Sequence, residues 1–293
     1  MQLIEEADIL LEGMRPGVTE RLGLGPDTCS ARNPRLVYGR MTGWGQTGPL
    51  AHAAGHDLTY IAITGVLHGL GQTADRPQFP INLLGDFGGG STFLVIGVLS
   101  ALLRARMTGQ GQVVDAAIID GTSYLDLMTA GLRASGRHSL LRGRNMLDGG
   151  VPYYRLYRTL DDRWVAVGAL EPQFFRTLVD RLGVADIIPA QDEVERHGEM
   201  ESIFEATFAS RTMADWTARF EGTDACVAPV LTPVEAAQHT HLRARNTHIV
   251  IDDVTQPAPA PRFSGTPTAM PTAPRKSSAD RVLARWTAKS VQP

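Results

Sequence analysis

The chain has 293 residues, 43% of them hydrophobic, 20% charged and 6% aromatic, with 28 Lys+Arg against 31 Asp+Glu and a net charge of -3. That composition places it with globular proteins, long enough for one large domain or two ordinary ones. The near-neutral balance gives no electrostatic reason to bind nucleic acid or an acidic membrane, although basic loops for a phosphate-bearing small molecule stay open.

The elements are taken in chain order. Gln2–Ala7 reads as the end of a helix, Asp8–Glu12 as a buried strand and Gly13–Gly17 as a turn. Val18–Leu24 reads as a short helix stopped by Gly and Pro, and Arg35–Arg40 as a second strand, followed by a Gly-rich loop at Thr42–Pro49. Strand, loop, helix and strand in this order predict part of a parallel α/β sheet, opening in mid-pattern as if its first βαβ unit were missing. Residues 55–69 and 87–107 read as helices. The second is apolar all round and is expected to be central. Its longest apolar run, Ser91–Leu103, is too short to span a bilayer. Gly111–Ile119 reads as a strand leading into a helix near 120–135.

From about residue 136 the character changes, and Arg133, Arg137, Arg142 and Arg144 fall in a polar, Gly-punctuated stretch that reads as a linker. An α+β segment follows, with strands at Tyr153–Thr159 and Trp164–Gly168 and helices near 171–183, 200–208 and 213–221. Pro257–Pro274 holds six prolines and reads as an extended crossing segment, and Ala279–Trp286 as a closing helix. No fixed-period repeat is visible, so solenoids and propellers are not expected. Cys29 and Cys226 stand far apart without a CxxC. With an acidic N-terminus lacking a signal h-region, they predict a reducing, cytoplasmic location.

Three short strings carry residues suited to chemistry. His56, in Gly55-His-Asp-Leu-Thr-Tyr60, opens an apolar helix after a Gly/Pro loop; a plain surface role stays open. Asp86, in Leu84-Gly-Asp-Phe-Gly-Gly-Gly90, stands just before the most apolar helix. A carboxylate there caps the helix, or, with three glycines beside it, lies where a ligand can approach the backbone closely. Glu171 stands before Pro172 where a strand ends and a helix begins, a capping position as well as a candidate functional one. Arg15 and Arg21 flank a turn after the first strand, either solvated or aimed at a phosphate-bearing ligand. His239, His241 and His248 lack partners at metal-ligand spacing, and no metal is expected. No GxSxG elbow occurs, against an α/β-hydrolase.

Taken together, ADILLEGMRPGVTERLGLGP (7–26), RLVYGRMTGWGQTGP (35–49), GHDLTY (55–60), GVLHGLG (65–71), NLLGDFGGG (82–90), GQGQVVDAAIIDG (109–121), LDGGVPYY (147–154) and VAVGALEPQFF (165–175) resemble the family III CoA-transferase superfamily. Within it they are similar to the α-methylacyl-CoA racemase branch, over roughly residues 7–265. The resemblance implies an isomerase of lipid metabolism that interconverts (2R)- and (2S)-2-methylacyl-CoA thioesters without a metal or redox cofactor, CoA being part of the substrate. It implies His56 and Asp86 as the two catalytic acid/base residues and Glu171 as the carboxylate supporting the histidine. Gly13, Arg15, Arg21 and the segment Gly55, Asp57, Leu58, Thr59, Tyr60 match positions lining the CoA site.

The implied fold is α/β, an interlocked homodimer. A Rossmann-like CoA-binding domain, here lacking its first βαβ unit, is expected over 1–115 with 265–293 returning to it. Linkers are expected over 116–154 and 250–264, and a small α+β domain over 155–249. The expected partners are the acyl-CoA thioester and a second copy of the chain, with no nucleic acid and no membrane.

The chemistry explains these residue types. The α-hydrogen of a thioester is weakly acidic, so its removal needs a positioned base and stabilisation of the enolate oxygen. Inversion needs a proton donor on the opposite face. His56 and Asp86 offer one carrier per face, and backbone N–H groups after Gly55 and Gly85 offer donors for the enolate oxygen. Two other readings stay open. One is a CoA-transferase using Asp57 as nucleophile through an acyl anhydride. The other is an inactive CoA-binding or dimerisation fragment, the expectation attached to the short N-terminus.

Overall fold

Short alternations of β-branched and aliphatic residues between Gly, Asn and Pro build strands here, and longer apolar stretches build the helices that cover them. The computed structural model describes residues 1–289. They divide into two compact units, Met1–Val151 with the C-terminal stretch from Leu283, and Pro152–Val282.

The first unit opens with α1 (Gln2–Glu6), β1 (Ile9–Glu12), α2 (Val18–Arg21), α3 (Pro26–Arg32) and β2 (Val37–Thr42). After a long loop come α4 (Asp57–Ile63), α5 (Val66–Gly69) and a π-helix over Leu83–Ser91 that runs straight into α6 (Thr92–Thr108). β3 (Val113–Ala117), α7 (Ile118–Leu125) and α8 (Leu127–Ala134) follow. The strands form a parallel sheet in the order β1-β2-β3, with Ile9 opposite Val37 and Tyr38 opposite Val113. This is the α/β sheet the pattern predicts.

Both faces of the sheet are covered. Val37, Leu94, Val98, Ala101, Ala105 and Ala116 pack α6 onto one face. Ile4, Ala7, Cys29, Leu36 and Tyr38 pack α1 and α3 onto the other. A Cβ at Gly39 would stand 2.7 Å from Leu11 Cδ2 and 2.8 Å from Val98 Cγ1, so a glycine in the central strand lets the helix sit close. On the α3 side, Arg40 is 6% exposed. Its Nε donates to Glu12 at 2.6 Å and its Nη1 to Glu20 at 2.7 Å, so the buried guanidinium is paired twice.

Several expectations change. The predicted 55–69 helix is two helices, because Gly65 takes a φ of 81° between them. α3 is a further helix, beyond those expected, started by Pro26 at its first position. α6 is not central. Val95, Ile96, Leu99, Leu103 and Met107 on its far side are each more than half exposed in the single chain, because only one face meets the sheet. The apolar run is also longer than read: Leu83–Thr108 is one continuous 26-residue helical stretch, long and apolar enough by length and composition to cross a membrane. The three glycines hid that continuity.

The second unit begins with β4 (Tyr154–Arg158) and β5 (Trp164–Gly168), then α9 (Pro172–Leu182), α10 (His197–Phe208), α11 (Met213–Phe220) and β6 (Val227–Pro229). β4, β5 and β6 make an antiparallel sheet. Tyr157, Phe175, Phe204, Phe208, Trp216 and Phe220 fill its core. α12 (Pro233–Gln238), α13 (Thr240–Ala244) and the hairpin β7 (His248–Ile251) with β8 (Val254–Pro257) complete it.

Two stretches read as linkers differ. Residues 118–134 are helices of the first unit, and 248–257 is a hairpin, because Asp252 and Asp253 both take positive φ and close its turn. No helix or strand is present from 258 to 278, ahead of α14 (Ala279–Lys289). Of the segment 265–293, the boundary between the units falls at 282/283, and residues 290–293 lie outside the described residues.

Candidate active site

In an open parallel sheet, ligands bind beyond the carboxyl ends of the strands. A cleft of about 250 Å³ lies there, past the ends of β1 and β2. β1 leads to Gly13 and Arg15, and β2 to Thr42 and Trp44. Gly55, His56 and Tyr60 close the cleft from the start of α4.

Glycine is required at two points of this wall. A Cβ at Gly43 would fall on the Tyr60 ring, and one at Gly55 would stand 2.9 Å from Trp44 Cζ2. Those glycines let Trp44 and Tyr60 pack edge to face, their centroids 4.7 Å apart. Burial pushes the Tyr60 hydroxyl's pKa up; the nearby Asp86 charge pushes the same way and Arg15 the opposite way. Trp44 Nε1 and Thr42 Oγ1 are buried with no hydrogen-bond partner. Neither stands out in the sequence of the Gly-rich loop. The tight Gly43-Trp-Gly45 spacing was the available signal.

His56 is the N-cap residue of α4. Its backbone N–H donates to Thr59 Oγ1 at 3.0 Å, and that hydroxyl donates back to the His56 carbonyl at 2.8 Å. Thr59 therefore fixes the entry to the helix, and the imidazole is exposed. Leu58 is 42% exposed on the same turn. Asp57 turns inward and is 6% exposed.

Asp86 does not cap α6. It sits inside the π-helix, four residues after Asn82, whose Nδ2 donates to Asp86 Oδ2 at 3.2 Å. The wide turn is supported by side chains. Ser91 Oγ donates to the Asp86 carbonyl at 2.9 Å and Thr92 Oγ1 to the Phe87 carbonyl at 3.0 Å. Such turns are uncommon and concentrate at functional positions. The glycines after Asp86 serve packing rather than ligand approach. A Cβ at Gly89 would stand 2.6 Å from Thr122 N, and one at Gly90 2.9 Å from Ile118 Cγ1, so α7 fills that face.

Asp57 joins the two helix starts. The Asp86 N–H donates to Asp57 Oδ1 at 2.8 Å, and a Cβ at Gly85 would stand 2.9 Å from Asp57 Cγ. That bond uses the backbone donor after Gly85 which the sequence reading offered to an enolate oxygen, and leaves the start of α4.

Of the other expected residues, Gly13, Arg15, Gly55 and Tyr60 line the cleft with His56. Arg21 does not; its guanidinium lies by Gly17, where a Cβ would be 3.3 Å from Nη1. Glu171 belongs to the second unit. It is the N-cap residue of α9, yet its carboxylate makes no capping bond; the Gln191 amide braces the turn instead, donating to the Leu170 carbonyl at 2.8 Å. No three His, Cys, Asp or Glu side chains among the described residues converge as metal ligands.

A parallel sheet covered on both faces, with a cleft beyond the carboxyl ends of its strands, defines an α/β protein. The family model for CoA-transferase family III matches residues 1–280, and the chain belongs to that family. It is 42% identical over 268 residues to an alpha-methylacyl-CoA racemase of Homo sapiens, covering 91% of this chain and 70% of that one. It is 43% identical over 279 residues to an alpha-methylacyl-CoA racemase of Mus musculus, covering 94% and 73%. A solved CAIB/BAIF family protein from Brucella suis shares the fold, with a TM-score of 0.78 at 24% identity over 98% of this chain and 76% of that one.

Proposed function

We propose that the chain is an isomerase that racemises the α-carbon of 2-methylacyl-CoA thioesters, with His56 and Asp86 as its two proton carriers. The identity of 42–43% to two racemases, spread over more than nine-tenths of the chain, carries this reading. The site supports it. The exposed imidazole of His56 lines the cleft, and the Asp86 charge adds to the burial that raises the pKa of Tyr60 in the same wall.

In one direction the His56 imidazole takes the α-proton. The electron pair moves onto the thioester oxygen as an enolate, and Asp86 in its acid form returns a proton to the opposite face. In the other direction the two exchange roles. Only protons move, so the reaction calls for no redox group. The Asp57 and Leu58 N–H groups, in the first turn of α4, precede the helix's own bonding and are the backbone donors left for the enolate oxygen. Arg15, which lines the cleft, is a cation for the CoA phosphates; Arg21, on the adjacent helix and outside the cleft lining, is the second cation the resemblance implies. Glu171 is the carboxylate that orients the His56 ring, contributed within a homodimer.

The transferase alternative needs a carboxylate that can attack a thioester. Asp57, its candidate, is buried and already holds a backbone N–H. The test is incubation with a single enantiomer of a 2-methylacyl-CoA in D2O. Deuterium at C2 together with loss of optical purity is expected. Transfer of CoA to a free acid with no α-exchange would replace the racemase reading with the transferase.

A further inference from the structure

Asp57 is an odd residue to bury. It is 6% exposed, its Oδ1 accepts one hydrogen bond, and its Oδ2 is buried with no partner at all. A buried carboxylate oxygen without a partner costs free energy, so a plain structural role is better served by an amide or an apolar side chain. What the carboxylate does hold is specific: the N–H of Asp86, at 2.8 Å. Asp57 is also the first residue of the helix that His56 caps. One side chain therefore joins the backbone turn carrying the candidate base to the backbone turn carrying the candidate acid.

The approach is built from both sides. Gly85 leaves room for the carboxylate, since a Cβ there would stand 2.9 Å from Asp57 Cγ and 3.0 Å from Ile61 Cγ2. The π-turn presents the Asp86 N–H outward, whereas in an unbroken α-helix that group would bond to the carbonyl of residue 82.

We propose that Asp57 is a positioning residue: its carboxylate, bound to the Asp86 N–H, sets the spacing between His56 and Asp86 and is thereby withheld from acting as a nucleophile. The inference rests on the racemase reading and adds a reason why a chain of a CoA-transferase family carries out proton transfer. A carboxylate that attacks a thioester must bring an oxygen to the carbonyl carbon. Here one oxygen is committed to a backbone donor and the other is enclosed.

The experiment uses the full chain and compares wild type with Asp57→Asn, Asp57→Ala and Asp57→Cys. Asparagine keeps the Oδ1 acceptor; alanine has none and cysteine only a weak one. Turnover and KM for a 2-methylacyl-CoA are measured with amide hydrogen exchange of the peptide containing Asp86. Asp57→Ala is expected to lose about tenfold or more in kcat, the usual scale for a group acting through a neighbour, with KM changed by less than about threefold. Asp57→Asn should keep at least about a third of kcat and a protected Asp86 amide. Asp57→Cys carries the alanine prediction if the alanine variant does not fold.

Wild-type kcat in Asp57→Ala overturns the proposal. So does an asparagine variant as slow as alanine with its Asp86 amide still protected, and so does a hydroxylamine adduct on Asp57 during wild-type turnover. Absence of α-exchange by the wild type would sink the racemase reading instead. The Asp86 amide would then still decide whether the tether exists.

Discussion

In the second unit, Tyr157 stacks on Phe208 with centroids 4.9 Å apart, and Phe208 meets Trp216 at 5.3 Å. Trp216 donates its indole N–H to the Phe208 carbonyl at 2.8 Å, so even the polar handle of the core is satisfied. The first unit packs its sheet with small residues, Ala101, Ala105 and Ala116 beside Val37 and Val98. It also leaves many large apolar side chains outside, among them Leu83, Phe87, Leu99, Leu103 and Met128. Its polar interior includes the paired Arg40 and the half-satisfied Asp57. The candidate proton carriers His56 and Asp86 sit in this looser unit. Aromatic packing fixes a fold, whereas thin walls, glycines and a π-turn let a backbone be aimed at a ligand.

The contrast can be broken in the cores first. Phe208→Ala or Trp216→Ala should cost about 3–5 kcal/mol, the usual loss for a fully buried aromatic, read in thermal melts by near-ultraviolet circular dichroism. Leu94→Ala, in the small-residue core, should cost about 2–3 kcal/mol, the low end for leucine, because its site is less enclosed. Equal costs would remove the contrast. Arg40→Ala should cost about 3–5 kcal/mol, because it strands the buried Glu12 carboxylate. Replacing Arg40 by Met together with Glu12 by Leu should recover most of that loss.

The effect of Glu171→Gln is smaller. If the carboxylate orients His56, turnover should fall about tenfold with little change in substrate binding. Mixing Glu171→Gln with His56→Ala subunits should restore activity if two copies share a site. An unchanged turnover number would take Glu171 out of the site.

The smallest effect is the acid response. The Arg40 hydrogen bond holds the Glu20 pKa at about 2, below its ordinary 4.5. A carboxylate depressed on folding stabilises the native state above its unfolded pKa, and that share is lost as pH falls from about 4.5 to about 2. Glu20 is 43% exposed, so the contribution is modest. Denaturant midpoints across that range should fall less steeply in Arg40→Met than in wild type. A slope independent of Arg40 would assign the acid response elsewhere.

Much of this was legible in the residues. The strands at 9–12, 37–42 and 164–168 announced themselves through aliphatic runs bounded by turns, and His56 through its place between a glycine loop and an apolar helix. The π-turn was not legible. Its bonding leaves no period in the sequence, and three glycines read as loop, so Asp86 looked like a cap. The hairpin at 248–257 was hidden by the prolines after it, and its turn depends on aspartates in a left-handed conformation that no local pattern demands. Asp57 was visible as one member of a ligand-lining string and as the nucleophile of the transferase reading. Its burial, and the backbone it holds, come from a contact 29 positions away.

The most direct measurement follows deuterium at C2 when each enantiomer of a 2-methylacyl-CoA is incubated in D2O with wild type, His56→Ala and Asp86→Ala. With one proton carrier per face, wild type should label and racemise both enantiomers. Each variant should lose racemisation by about 10²–10⁴-fold, the range of a general acid or base, while still exchanging the proton of at most one enantiomer, opposite for the two variants. Racemisation at the wild-type rate by both variants would contradict the assignment of His56 and Asp86.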